Sequence, residues 1–195
     1  MNIRSAVFAG FILACFAISP LSSSADSYDS EKPPAIFVDE GACPFECCVY
    51  RDWLVTKTTT LFDKPHGKKI TGHLKDGMKV RALTGIVYVV PTKMRVVFGR
   101  KSDRTESYEV GEIIYLLTNL GEGWHKVWHR GEIISDELDI YEQDENCAIP
   151  SEACWARVIE DHRNEEVWWV KIQIKTGEIG WAEVDKNFDN MDACG

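Results

Sequence analysis

The 195-residue chain has no apolar run of the roughly 20 residues that a membrane-spanning helix needs. It has no excess of positive charge either. Against 31 Asp and Glu stand only 22 Lys and Arg, a net charge of −9. Nucleic acids are bound through a basic footprint on phosphates, so this balance argues against a nucleic-acid partner. No segment carries a 3.6-residue apolar period over the length of a long amphipathic helix. No partnered CxxC pairs occur, and the acidic stretch 136–145 lacks the glycine of an EF-hand loop. A composition of 45% hydrophobic and 27% charged residues excludes collagen and wholesale disorder and suits a folded globular chain.

What is present begins with an address. Arg4 precedes a nearly continuous apolar run from Ala6 to Ile18, which Pro20 breaks. Ser23-Ser24-Ala25 then places small residues at the −3 and −1 positions of a signal-peptidase site. Residues 1–25 read as a secretory signal peptide, and the protein as secreted or periplasmic. The alternative is a lipoprotein box, Ile12-Leu13-Ala14-Cys15, which would anchor the chain through Cys15. Leu13 is bulky for its place in that box, and the apolar run continues past the cysteine. Cleavage after Ala25 removes Arg4 and Cys15. The mature charge becomes 21 − 31 = −10, and 7 − 1 = 6 cysteines remain. An even number in an exported protein favours disulfides.

Residues 26–42 read as a flexible leader, polar at DSYDSEKPP. From Trp53 onward short β-rich runs alternate with turn residues. Trp53–Phe62, Lys69–Leu74, Met78–Leu83, Ile86–Val90 and Met94–Phe98 are read as successive strands, with turns at Lys64-Pro65-His66-Gly67, Asp76-Gly77 and Pro91-Thr92. Gly99–Ser107 is a polar hairpin tip. Further strands follow at Ile113–Leu117, Trp124–Trp128, Glu132–Ser135 and Trp155–Ile159. The last hairpin is the clearest. Trp168, Val170, Ile172 and Ile174 share one face by the period of two, and Lys175-Thr176-Gly177-Glu178 makes the turn. The pattern predicts an all-β barrel or sandwich.

Trp168 to Val184 (WWVKIQIKTGEIGWAEV) resembles the closing strands of bacterial SH3-like domains, and Thr58 to Gly85 resembles their first half. Gly111–Trp128 looks like a second copy of the same elements. The resemblance implies SH3-like barrels, and the span of residues 53–184 implies two small intertwined ones, stapled by disulfides. The division is then 43–110 for a first SH3-like region with a cysteine-rich flank, and 111–195 for a second with a cysteine tail. It further implies an exported, noncatalytic module of the bacterial cell envelope that binds peptide or cell-wall polymer.

Cys43, Cys47, Cys48, Cys147, Cys154 and Cys194 allow 15 disulfide connectivities. Cys147–Cys154, six residues apart, is the expected local bridge, and Cys194 is expected to join the N-terminal cysteine cluster. A catalytic cysteine would need a free thiolate, which a fully paired set does not leave. His125 and His129 share a strand face, but strand positions four apart lie ~13 Å from each other. They cannot share one metal ion, and are read as exposed surface histidines. Trp53, Trp168 and Trp181 are assigned to the core. Trp124, Trp128 and Trp169 are left as partly exposed platforms for a ligand. No nucleophile–base pair, metal site or cofactor motif emerges, so the expectation is a protein without enzymatic activity. A rival function is an acidic, disulfide-linked inhibitor or partner of a basic secreted enzyme such as a lysozyme, drawn in by charge.

Cleavage after Ala25 has a direct check. N-terminal sequencing of the exported protein should begin at Asp26. A lipid-modified start at Cys15 would replace that reading by membrane anchorage.

Overall fold

The computed structural model describes residues 32–101, 107–138 and 149–194. No helix occurs among them, and none is therefore long and apolar enough to cross a membrane. The strands are β1 (Phe37–Glu40), β2 (Asp52–Val55), β3 (Thr59–Phe62), β4 (Ile70–Leu74), β5 (Lys79–Val89), β6 (Thr92–Val96), β7 (Arg100–Lys101), β8 (Ser107–Tyr108), β9 (Ile113–Gly121), β10 (Trp124–His129), β11 (Glu132–Glu137), β12 (Ala156–Glu160), β13 (Glu166–Gln173), β14 (Ile179–Glu183) and β15 (Phe188–Asp189). The all-β expectation holds.

Two main sheets account for most strands. The larger runs β15-β2-β5-β13-β14-β3-β4, with β1 also paired to β5. It curls as a half-barrel. The smaller runs β11-β10-β9-β6-β12. All strand pairs in both are antiparallel. The chain leaves the large sheet after Val89 and returns to it at Glu166. The small sheet is therefore an insertion between β5 and β13, and the change of sheet does not fall at 110/111. The two crossings are bound to each other, since the Val90 N–H donates to the Glu165 carbonyl at 3.1 Å.

Alternation explains the large sheet. On β13, Trp168, Val170 and Ile172 point inward as expected from their period of two. They meet Trp53, Val55, Leu61, Leu74, Ala182 and Phe188 in one core. Trp53 packs edge-on to Trp168, with ring centroids 5.6 Å apart. Met78–Leu83 and Ile86–Val90 were expected as separate strands. They are one strand, β5, which passes a register shift near Leu83 instead of turning. Gly85 lies two residues beyond the shift. A Cβ there would collide with the Tyr50 hydroxyl and the Trp168 Nε1. Trp181 differs from expectation too. Its strand partner Lys171 faces outward, and the ring lies half-buried on the outer surface with Lys171 Nζ 5.9 Å from its centroid.

The small sheet buries residues on both faces. Met94, Val96, Ile114, Leu116 and Val127 face Tyr108, Leu138 and Trp155. Tyr115, Leu117 and Trp128 form a second cluster against Phe37 of β1. An ion pair fastens the same contact, with Lys126 Nζ 2.7 Å from Asp39 Oδ1. Tight turns connect the hairpins. Arg130 and Gly131 both have positive φ, at 51° and 83°. That pair matches the two-residue turn whose twist suits an antiparallel hairpin. The hairpin at 175–178 forms as expected, with the Gly177 N–H donating to the Ile174 carbonyl at 2.9 Å. The polar excursion forms the β7–β8 hairpin. Its tip, 102–106, lies outside the described residues.

Disulfides join Cys43 to Cys48 and Cys47 to Cys194. Cys154 is also disulfide-bonded. Its expected partner, Cys147, lies outside the described residues, as does Cys15. The Cys47–Cys194 bridge spans 147 residues. Around it, Arg51 donates to Asn190 and Asp192, and the Ala193 N–H donates to the Cys47 carbonyl.

Replacing Cys194 by Ser should lower unfolding free energy by about 3–5 kcal/mol, since the chain-entropy account scales with the length of the closed loop. Urea denaturation under non-reducing conditions reads this. A loss below about 1 kcal/mol would mean that the Arg51 contacts alone hold the tail.

Candidate functional site

The sequence-derived platform does not assemble. Trp124 is partly exposed at the start of β10, beside Glu46, Cys47 and Cys194 on a shallow depression. Trp128 is only 6% exposed, packed with Tyr115 and Leu117. Trp169 is only 4% exposed on the other sheet, covered by Phe62 and His66. Both were expected at the surface. They are buried because the outer faces of the two sheets are themselves packed, Trp128 by β1 and Trp169 by the β3–β4 loop.

The histidines are corrected likewise. His129 is buried, with Nε2 3.1 Å from Glu112 Oε2 and its ring 4.8 Å from that of Tyr108. Burial works against the Glu112 charge. The Glu109 N–H, Arg130 and His129 outweigh it and hold the carboxyl below its ordinary pKa. His125 is 6% exposed and lies elsewhere. The β9–β10 register shifts on both sides of it, which marks bulges. The extra residues lie on β9, and His125 lines a cleft.

That cleft lies where the chain crosses between the sheets, and its volume is about 230 Å³. Val89, Val90 and Thr92 supply the wall of the outgoing crossing. His162, Arg163, Asn164 and Glu166 supply that of the returning one, and Asn119 and His125 come from the small sheet. The returning segment is fixed by its own bonds. The His162 N–H donates to Thr92 Oγ1 at 2.9 Å, and the Glu165 N–H to the His162 carbonyl at 2.8 Å.

The polar groups of the cleft divide into engaged and open ones. Arg163 donates from Nε and from a terminal nitrogen to the two Asp161 oxygens, at 2.9 and 2.6 Å. Those bonds hold the Asp161 carboxyl down at about 2. His162 Nδ1 lies 3.0 Å from Glu165 Oε1. Asn119 Oδ1 accepts from the Gly121 N–H at 2.7 Å. His125 Nδ1 lies 2.9 Å from the Gly123 carbonyl oxygen. A carbonyl only accepts, so Nδ1 carries the proton and Nε2 is left as an acceptor. Among the described residues Nε2 has no hydrogen-bond partner. Neither does the carboxyl of Glu166, an exposed residue at the rim of the cleft, whose partial desolvation raises it above its ordinary pKa. Burial lowers the pKa of His125, and the Gly123 bond opposes that only in part.

One other cluster could resemble a metal site. Ligand atoms of Glu46, Cys47 and Cys194 lie within 4.8 Å of one another. Both sulfurs are bound in the disulfide, so neither is a thiolate donor. Glu122 faces Glu46, and its charge raises the Glu46 pKa.

The sequence singled out neither Glu166 nor the cleft. His125 was visible only as one of an alternating pair. No period marks a bulge, and no motif marks a crossing between sheets.

The two open groups should titrate in opposite directions. In NMR titrations His125 should stay neutral to a pH below the ordinary 6.5, and Glu166 should hold its proton above 4.5. The sign for stability follows. Below about pH 6.5 the unfolded chain binds the proton that folded His125 refuses, so stability falls as pH drops there. His125→Gln should remove that part of the slope. No known protein family, curated protein or solved structure matches the chain, so the chemistry of the cleft is read from its own residues.

Proposed function

We propose that this chain is an exported, noncatalytic binding module of the bacterial cell envelope, SH3-like in its strand and turn motifs, that takes peptide or cell-wall material in the cleft between its two sheets. One observation carries the reading. Two polar groups, His125 Nε2 and the Glu166 carboxyl, line a 230 Å³ cleft and lack partners among the described residues. Polar groups that line a cleft and are not spent on protein partners are suited to receive hydrogen bonds from a ligand.

The surroundings support binding without turnover. The cysteines at 43, 47, 48, 154 and 194 are all in disulfides, so none offers the thiolate a nucleophile needs. The export signal and the disulfides suit an oxidising compartment. The walls of the cleft are held by backbone bonds across both crossings, so the seat is formed before the ligand arrives.

Purified cell wall should retain the exported protein at low salt. The double variant His125→Gln, Glu166→Gln should lose most of that retention, while its circular dichroism remains that of a β protein. No retention of the natural chain would overturn the reading. Inhibition of a lysozyme, weakening as salt rises, would favour the acidic-inhibitor alternative in its place.

A further inference from the structure

The cleft has a surplus of one kind of hydrogen-bonding group. His125 Nε2 accepts, because Nδ1 is committed to the Gly123 carbonyl. The Glu166 carboxylate accepts through both oxygens when ionised. The nearest strong donor, Arg163, is already committed to Asp161 through two bonds. His162 is committed to Glu165. A carboxylate ligand would therefore find no open guanidinium fork and would meet Glu166 as a like charge. A metal ion is not matched either. Among the described residues the cleft brings no three metal-ligating side chains within bonding distance of one point. What the acceptors lack is a small, multiply donating cation.

We propose that the inter-sheet cleft recognises a primary ammonium group, held between His125 Nε2 and the Glu166 carboxylate. The inference rests on the reading of the cleft as a binding site and names the chemical class of what it takes. An ammonium has three N–H donors and no acceptor, the complement of the two open groups. Its charge favours the ionised form of Glu166, opposing the desolvation that raises that carboxyl. It is small enough to enter with a short stem. A peptide N-terminus, a lysine-like side chain and an amino sugar share this chemistry.

Binding then carries a pH signature. The charged and titratable groups around Glu166 are His125 from β10 and Asp161, His162, Arg163 and Glu165 from the returning crossing. Affinity for a free amine should rise as pH climbs through the raised pKa of Glu166. It should fall when the amine itself loses its proton.

The test uses the full exported chain and two matched pairs of probes, followed by NMR shifts of His125 and Glu166. The pairs are alanyl-alanine with N-acetyl-alanyl-alanine, and glucosamine with N-acetylglucosamine. The free amine of at least one pair should shift both residues, and its acetylated partner should bind at least about tenfold more weakly, the scale of one charge-assisted bond. Whichever pair responds identifies the peptide or the sugar source. Glu166→Gln should weaken the amine by a similar factor. Glu166 is exposed, so the fold tolerates the change, and unshifted signals of Trp53 and Trp168 in the core verify that. Equal binding of free and acetylated probes, or no shift at His125 and Glu166 with any probe, overturns the proposal. Retention on a fully N-acetylated cell wall separates the two readings. If acetylated wall is bound as well as native wall, the envelope reading stands and the ammonium proposal fails. If free amines bind but no wall is retained, the ammonium proposal stands and the envelope reading fails.

Discussion

The fold depends on bringing together two stretches of chain that lie far apart in sequence. The large sheet is built from residues 37–89 and 166–189, and the described strands between them belong to other sheets. Its central pairing, β5 with β13, closes a long loop, and loop closure costs entropy before any contact forms. The disulfide from Cys47 to Cys194 constrains the unfolded chain in the same sense, holding the outer flanks of those stretches close. Trp53 and Trp168, one from each stretch, then meet at the centre of the core. The Cys43–Cys48 bridge shapes the flank so that Tyr50 reaches the Ala42 carbonyl and receives the Trp168 Nε1–H. Burial pushes the Tyr50 phenol up to about 12, so it remains a neutral donor there at any physiological pH.

An inserted sheet has two crossings, and the cleft is the consequence. The outgoing residues 90–91 and the returning residues 161–165 run side by side and are tied by a backbone bond. Two sheets that meet along such a seam cannot pack side chains as densely as a continuous core. The polar residues of the returning turn therefore border an open volume. The sheets are held in register by Asp39 and Lys126, whose charges meet at 2.7 Å with Asp39 almost wholly buried. Its second oxygen has no hydrogen-bond partner. A half-satisfied buried carboxylate is a poor source of stability but a strong determinant of position, because its cation has one place to go. The geometry of the cleft is thus set by contacts outside it.

Within the cleft, burial acts on an acid and on a base in opposite senses. It favours the neutral form of both, raising Glu166 and lowering His125. The overall acidity of the chain has little bearing on this local chemistry, since exposed charges beyond about 10 Å are screened at physiological salt.

The sequence by itself determined the β architecture. Period-two alternation in Trp168–Ile174 and turn dipeptides such as Asp76-Gly77 are local properties, legible without neighbours, and the structure realises them. The joining of Cys194 to the N-terminal cysteine cluster was also legible, because few partners remained for a terminal cysteine. Only the tertiary structure decided which outward-facing residues stay outside. Alternation assigns Trp128 and Trp169 to the face opposite the core, but a period cannot say that a second layer covers that face. The merging of two expected strands into β5 goes with its continuous pairing to β13, a strand on the far side of the inserted sheet. The candidate site was the least legible part. His125 lies on the small sheet and Glu166 at the return to the large one, and only the meeting of those distant strands brings both to one cleft.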